Sequence, residues 1–220
     1  MDTISKDEVK VLGLSGPDGA GKGYLTQNAI EILNNELGFR ISEIQMISTR
    51  SPREGEQYYT NMEELSKSSS VLGGKRCVSD ELFDKLLANS SLVGDHKNDN
   101  GFRYAYLVND FKVAKGALLI ELNPVFQSRI SEDLSKHGIN FVSWIGLMGN
   151  IDYLRTNIKS RQPDMTDEEL DKKIGMAESI IETLNELRGD SKLQLFTVGW
   201  ENRESMAKEF ADLIKGLIEQ

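Results

Sequence analysis

Seven residues near the start of the chain have the types and spacing suited to binding a polyphosphate. Residues 16–22 read Gly-Pro-Asp-Gly-Ala-Gly-Lys, which fits the first seven positions of the pattern Gly-x-x-x-x-Gly-Lys-(Ser/Thr). Glycines let successive backbone N–H groups turn toward phosphate oxygens, and the lysine adds a positive charge for the outer phosphates. The candidate phosphate-binding residues are Gly16, Asp18, Gly19, Ala20, Gly21, Lys22, Gly23 and Tyr24. The competing interpretation is a glycine-rich turn that only joins two elements.

The residue after Lys22 departs from this pattern. Gly23 stands where a Ser or Thr hydroxyl would contact Mg²⁺ or a phosphate oxygen. Either Mg²⁺ is held by water and the bound polyphosphate alone, or the hydroxyl of Thr26 replaces it from one turn later. We therefore assign no metal ligand to the chain from its sequence.

A second charged segment, residues 49–56, has the sequence Thr-Arg-Ser-Pro-Arg-Glu-Gly-Glu and places Arg50 and Arg53 three residues apart. Pro52 disfavours helix at the residue before it and stiffens an extended turn. Because guanidinium groups pair with phosphate oxygens in a forked geometry, two arginines on a stiff backbone suit a phosphate monoester. Taken alone, a charged loop that contains proline is also typical of solvated surface.

Apolar runs alternate with helical patterns along most of the chain. Buried strands are predicted at 9–14, 117–122, 140–147 and 193–198. Helices are predicted at 22–37, 166–188 and 204–218, because apolar residues recur there three and four apart. Thr166 and Glu169 have the spacing of a capping box, which favours a helix start. Strands that alternate with helices indicate an α/β fold with a parallel sheet.

The stretch from about residue 50 to 106 breaks this alternation. It is polar, rich in Ser and Gly, and contains one predicted helix, residues 80–88, with Ser79 as its N-cap. We therefore expect a lobe of residues 50–106 inserted into a core made of residues 1–49 and 107–220.

Composition excludes several classes of protein. The 220 residues contain 26 Lys and Arg against 35 Asp and Glu, a net charge of −9. Surfaces that bind nucleic acid or anionic membranes need an excess of positive charge, so we expect small-molecule partners and neither of those. Cys77 is the single cysteine, which excludes an intrachain disulfide, and no apolar run approaches the ~18 residues of a membrane span. We expect a cytoplasmic monomer or homodimer.

The two anion-binding segments, in this order, resemble those of the guanylate kinase family. Residues 15–22 look like its phosphate loop, and residues 49–56 are similar to its monophosphate-binding segment. Residues 83–86 and 101–104 fall where its inserted domain has similar sequences, and residues 151–173 resemble its lid. The resemblance implies a three-layer P-loop NTPase-like α/β core, an inserted nucleoside-monophosphate-binding lobe and a lid. It also implies phosphoryl transfer from ATP, with Mg²⁺, to a nucleoside monophosphate such as GMP.

The same resemblance implies roles for individual residues. The acceptor nucleotide would contact Arg50, Arg53, Tyr58 or Tyr59, Asp95, Tyr104 and Glu121. Within that set, Asp95 would accept hydrogen bonds from the guanine N–H edge. The transferred phosphoryl group would meet the cations Lys22, Arg155, Arg161 and Lys173, whose role is electrostatic. From the residues alone, the lid cations are also explained as a solvated helix end neutralised by nearby carboxylates.

Two alternatives to a guanylate kinase stay open at this point. Residues 16–22 also resemble the loops of thymidylate kinases, so the acceptor could be another nucleoside or deoxynucleoside monophosphate such as dTMP. The base-reading serine of the guanylate kinase family is replaced here by Met46 and Ile47. The second alternative is a non-catalytic module that resembles guanylate kinases and binds a phosphorylated partner.

Overall fold

The computed structural model describes residues 9–35, 37–68, 75–98, 100–200 and 202–220. The strands in these ranges are β1 (Lys10–Ser15), β2 (Ile41–Ile44), β3 (Ile47–Ser48), β4 (Tyr58–Tyr59), β5 (Arg76–Val78), β6 (Leu92–Lys97), β7 (Arg103–Leu107), β8 (Ala117–Glu121), β9 (Asn140–Gly149) and β10 (Leu193–Val198). The helices are α1 (Lys22–Asn35), α2 (Met62–Lys67), α3 (Asp80–Ala88), α4 (Val108–Val113), α5 (Gln127–Lys136), α6 (Ile151–Arg161), α7 (Asp167–Glu186) and α8 (Arg203–Ile218).

A parallel five-stranded sheet with the order β10-β9-β1-β8-β2 confirms the predicted α/β fold. The four predicted core strands are all present, and the apolar run of β1 is almost completely buried, as expected for a strand covered on both faces. The fifth strand, β2, was not predicted, because its sequence Ile-Ser-Glu-Ile has only two apolar residues. Since β1 is central, the loop after it opens at the middle of the carboxyl edge, where ligands bind in such sheets.

Contacts within the described chain divide it into two compact units. Unit 1 contains residues 9–11, 41–120 and 128–141, and unit 2 contains residues 12–40, 121–127 and 142–220, apart from the positions outside the described ranges. The phosphate-loop residues belong to unit 2, and the segment with the two arginines belongs to unit 1.

The interior of unit 1 corrects the expectation of one short helix between residues 50 and 106. This stretch also contains α2, and it contributes strands to a second sheet with the order β4-β5-β3-β7-β6. Strands β3, β4 and β5 are only two or three residues long, so no alternation of apolar and polar residues marks them. The sheet packs on α2 and α3 around the buried side chains of Ile47, Leu65, Phe83 and Leu86.

Both predicted helix starts are confirmed by their capping contacts. The Thr166 side chain accepts from the Glu169 N–H, and the Glu169 carboxylate accepts from the Thr166 N–H, so the capping box of α7 is complete. The Ser79 hydroxyl accepts from the Leu82 N–H at the start of α3. Each of these caps satisfies backbone donors that the first helical turn leaves without partners. Among the helices in the described parts of the chain, none has the length and apolarity needed to cross a membrane.

Candidate functional site

The loop between β1 and α1 has the backbone geometry of an anion cradle. Gly16, Gly19 and Gly21 have φ values of 155°, 83° and 82°, which favour glycine over other residues. A Cβ on Gly16 would lie 2.8 Å from the Leu147 Cβ, and one on Gly19 would lie 2.8 Å from the Leu154 carbonyl oxygen. Two of the three glycines are therefore required by close packing as well as by conformation.

The remaining loop residues fall into two groups. Ala20 is buried, and its N–H donates to the Pro17 carbonyl over 3.3 Å. Gly23 and Tyr24 lie in the first turn of α1, where a Cβ on Gly23 would meet no atom within 4 Å. The open space at Gly23 shows that packing does not exclude a side chain there.

Lys22 begins α1 and turns its ammonium back over the loop. Its Nζ donates to the carbonyl oxygens of Gly16 and Pro17, at 2.7 and 3.2 Å. The same nitrogen lies 3.6 Å from a carboxylate oxygen of Glu121, the last residue of β8. Because β8 neighbours β1 in the sheet, the ends of the two strands bring this carboxylate and the lysine together. The Lys22 ammonium and the Glu121 carboxylate therefore both lie beside the loop.

Helix α6 supports the loop from the side. Asn157 donates an amide N–H to the Gly19 carbonyl oxygen over 2.9 Å. The side chain of Ile158 lies 3.1 Å from where a Cβ on Gly19 would stand. The conformation of the loop therefore depends on a helix that begins about 130 residues later in the chain.

The lid cations predicted from the sequence have different surroundings in unit 2. Arg155 donates to Asp171 over 2.8 Å, which joins α6 to α7. Lys173 lies 3.4 Å from the Asp18 carboxylate of the phosphate loop. Arg161 is exposed at the end of α6 and pairs with no carboxylate in the part of the chain that the structure describes. The ion pairs of Arg155 and Lys173 are exposed, so exchanging their partners for a phosphate would cost little.

Gly19→Ala should weaken binding of a polyphosphate at least tenfold, since the new methyl would displace the loop from the Leu154 carbonyl and force a strained φ. Titration calorimetry with ATP measures the change. Gly175→Ala, in α7 and with open space around its Cβ, is the matched control and should bind as the unchanged protein does. Equal affinity in the Gly19 variant would contradict the role of the loop.

In unit 1, Arg50 is held inside its loop by Glu56. The two side chains form an ion pair at 2.5 Å and are only 8% and 11% exposed. Glu56 also accepts from the backbone N–H groups of Arg53 and Lys75, at 2.8 and 3.2 Å. Burial alone would raise the pKa of Glu56, but these hydrogen bonds and the charge of Arg50 outweigh it and lower the pKa from 4.5 to about 2.

The side chain of Arg53 differs from that of Arg50 because it is exposed. Its backbone is fixed by the contact with Glu56, which leaves the guanidinium to reach outward. Of the two arginines, Arg50 therefore organises the loop in this structure, and Arg53 is the more accessible cation for an incoming anion.

The candidate tyrosines near the loop that contains Arg50 and Arg53 have different environments. Tyr58 is 51% exposed, whereas Tyr59 is buried and its hydroxyl donates to the Gln57 side chain over 2.5 Å. Tyr104 stacks on His96 with ring centroids 5.5 Å apart, and the Lys75 ammonium lies 5.0 Å from the centre of the Tyr104 ring. Tyr58 is thus the more available hydroxyl of its pair, and Tyr104 belongs to an aromatic surface bordered by a cation.

Asp95 precedes His96 in β6 and is bound by a residue that the sequence did not single out. Arg129, in α5, donates to the Asp95 carboxylate over 2.7 Å. Burial is the largest cause that lowers the pKa of His96 from 6.5, which favours the neutral form of its ring. The charges of Asp95 and Arg129 also act on the pKa of His96, so this ion pair lies near the stack of His96 on Tyr104 in unit 1.

Four contributing residues were missed from the sequence. Glu56 could have been recognised, since it ends the same short segment as the two arginines. Lys75, Asn157 and Arg129 gave no signal, because each reaches its partner across a long separation in the chain. Among the described residues, no group of three or more His, Cys, Asp and Glu is placed to hold a metal ion.

Comparison with known proteins identifies a solved structure with a similar fold. No protein-family model matches the chain, and no curated protein matches it in sequence. Among solved structures, the guanylate kinase of Anaplasma phagocytophilum is similar, with a TM-score of 0.57 and 15% identity over 99% of this chain and 90% of that one. A gluconokinase of Sinorhizobium meliloti 1021 has a TM-score of 0.45 and 14% identity over 99% of this chain and 96% of that one. The chain therefore shares its α/β fold with the guanylate kinase of Anaplasma phagocytophilum.

Proposed function

We propose that the chain transfers the γ-phosphoryl group of ATP to a nucleoside monophosphate, with GMP preferred over AMP, CMP and dTMP. The observation that carries the proposal is the glycine cradle after β1, in which Cβ atoms at Gly16 and Gly19 would clash and over which Lys22 turns its ammonium. Ser15 adds support, because its buried hydroxyl at the start of the loop has no hydrogen-bond partner among the described residues. Buried polar groups are rarely left in this state unless water or a ligand completes the site.

The residues present fit a polyphosphate better than they fit a metal ion. The backbone N–H groups and Lys22 supply positive charge to the ATP phosphates, and α1 adds the positive end of its dipole. Mg²⁺ bound with ATP would neutralise further charge on those phosphates. Since Gly23 offers no hydroxyl, Glu121 is the side chain in unit 2 that would hold such an ion, most simply through water.

The acceptor site of the proposal lies in unit 1, on the loop that contains Arg50 and Arg53. Arg53 would pair with the acceptor phosphate, and Arg50 would support it from behind while it holds Glu56. Tyr58 and Tyr104 would contact the same phosphate, with Asp95 near the base. The resemblance of the segment to guanylate kinases supports this assignment.

Catalysis in this proposal is mainly electrostatic. One acceptor phosphate oxygen bonds to the γ-phosphorus while the bond to the ADP oxygen breaks, and the products are ADP and a nucleoside diphosphate. Because the acceptor oxygen is already anionic, no side chain needs to act as a general base. Lys22, with Arg155, Arg161 and Lys173 of the proposed lid at residues 151–173, would stabilise the charge that the phosphoryl group spreads over its oxygens. Closure of the lid would exclude water and so prevent hydrolysis of ATP.

A panel of monophosphates with ATP and Mg²⁺ tests the proposal directly. We expect ADP formation to be fastest with GMP and much slower with AMP, CMP and dTMP. Turnover of dTMP but not GMP would identify a different monophosphate kinase. Binding of monophosphates without turnover of any of them would favour a non-catalytic module that recognises phosphorylated partners.

Arg53→Ala should raise the KM for the acceptor by a factor of roughly 10 to 100, because the loss of a charge-assisted hydrogen bond to phosphate costs about 1.5–3 kcal/mol. The KM for ATP should change less than threefold, since the proposal assigns Arg53 to the acceptor phosphate and not to the phosphates of ATP. Lys112→Ala removes another exposed cation of unit 1 and is the control. Equal losses for both substrates would show that the acceptor is not bound by Arg53.

A further inference from the structure

We propose that Arg129 sets the base preference of the acceptor site by occupying one oxygen of Asp95, so that the purine 2-amino group is not recognised. This inference rests on the proposed function, and it predicts that GMP and IMP are used about equally well. IMP carries hypoxanthine, which is guanine without the 2-amino group. Nothing in the sequence pattern assigns a role to Arg129.

The contact that carries the inference is well formed. Arg129 Nη2 donates to Asp95 Oδ1 over 2.7 Å, and the two side chains are 50% and 32% exposed. The pair is therefore accessible to a ligand, and the contact leaves Oδ2 free to accept a further hydrogen bond.

The position of Arg129 is fixed by the packing of α5 on an irregular part of β6. The ladder between β6 and β7 shifts register between Val93 and His96, and Gly94 has a φ of 65°. A Cβ on Gly94 would lie 2.6 Å from Ile130 Cγ1, so the strand can approach α5 this closely only with glycine. The Gly94 N–H also donates to Asp133 Oδ2 over 3.2 Å. Two contacts thus hold α5 against the bulge and bring Arg129 to Asp95.

The groups beside this ion pair suit a nucleobase. His96, the residue after Asp95, stacks on Tyr104, and the ammonium of Lys75 lies over the Tyr104 ring. Flat aromatic side chains next to hydrogen-bonding groups are the usual means of binding an unstacked base. Lys75, this stack and Asp95 therefore lie near one another in unit 1, as a site for a phosphate and a base requires.

The chemistry of a carboxylate explains the predicted selectivity. Guanine presents N1–H and the 2-amino group side by side, and a carboxylate reads both only if each of its oxygens accepts one hydrogen bond. Because Arg129 already donates to Oδ1, a hydrogen bond from the 2-amino group to that oxygen would compete with the ion pair, and Oδ2 is the oxygen available to N1–H. The other N–H groups of Arg129 are donors beside this acceptor, and they suit the carbonyl oxygen at purine position 6. Guanine and hypoxanthine share the N1–H and this carbonyl, so the pair recognises both.

The test compares kcat/KM for GMP and IMP in the full-length protein and in Arg129→Met, which keeps most of the aliphatic stem and removes the guanidinium. We expect a GMP-to-IMP ratio below about three in the unchanged protein. The ratio should rise roughly tenfold or more in the variant, because Oδ1 then accepts from the 2-amino group and a hydrogen bond to a charged group is worth a factor of this size. Lys112→Met is the control, since it removes another exposed cation of unit 1 that lies outside both α5 and β6.

The outcomes separate this inference from the proposed function. A high GMP-to-IMP ratio in the unchanged protein, or the same ratio in Arg129→Met and the unchanged protein, overturns the role of Arg129 while the kinase activity stands. Absence of turnover with every monophosphate overturns both. Titration calorimetry with GMP and IMP gives the same comparison for binding alone, and a ratio that rises only in the Arg129 variant supports the inference.

Discussion

Replacement of Lys22 by Ala is expected to lower turnover by a factor of roughly 10²–10³, the usual cost of removing one preorganised donor from a developing negative charge. In the structure the Lys22 ammonium is held by the Gly16 and Pro17 carbonyls and lies near Glu121. These contacts position the ammonium over the loop. The measurement is steady-state ADP formation with saturating ATP and GMP.

The fold should survive this change, because within the described ranges the polar contacts of Lys22 Nζ are with its own loop and with Glu121 at the end of β8. Circular dichroism and thermal unfolding of Lys22→Ala should match those of the unchanged protein. Lys208→Ala, which removes an exposed cation from α8, is the control for the loss of one charge. If Lys22→Ala turns over normally, the active site does not lie at the glycine loop.

The second large effect is on stability, and it concerns the pair of Arg50 and Glu56. Glu56→Gln should lower the free energy of unfolding by about 3 kcal/mol, because it leaves a buried guanidinium without its counter-ion. Urea denaturation at pH 7 measures the difference. The control is Glu63→Gln: Glu63 pairs with Lys67 on the surface, with side chains 79% and 71% exposed, and its loss should change stability by well under 1 kcal/mol.

The same pair predicts a dependence on pH. The folded pKa of Glu56, about 2, lies below its ordinary value of 4.5, so its contribution to stability is complete above pH 4.5 and is lost as the pH falls toward 2. The difference between these two pKa values corresponds to about 3 kcal/mol in the free energy of unfolding. The stability difference between the unchanged protein and Glu56→Gln should therefore shrink with falling pH, and a constant difference would contradict the assignment.

The parts of the fold that were predicted correctly depend on local signals. The long apolar runs of β1, β8, β9 and β10 form the predicted strands. The capping box at Thr166 and the N-cap at Ser79 mark helix starts, and each of these signals is contained in four consecutive residues. The second sheet could not be predicted, because β3, β4 and β5 are too short to show a period. Their pairing is decided by partners distant in the chain, such as Ser48 with Tyr104.

The candidate site divides in the same way. The glycine loop is encoded in seven consecutive residues, and its predicted strand-loop-helix context is confirmed. What the loop packs against is not local: Leu147 and Leu154 exclude side chains at Gly16 and Gly19, and Asn157 bonds to the Gly19 carbonyl. Likewise, Asp95 was singled out from the sequence, but its partner Arg129 is brought to it only by the packing of α5.

The enclosed ion pair of unit 1 also restricts how this chain can diverge. Replacement of either Arg50 or Glu56 alone leaves the other charge buried without a partner. Replacement of both by apolar residues of similar volume can leave the free energy of unfolding unchanged. Substitutions at these two positions should therefore occur in pairs during evolution, because a protein with only one of the two substitutions would be too unstable to persist. Residues at an exposed pair such as Glu63 and Lys67 have no such mutual dependence and are free to vary one at a time.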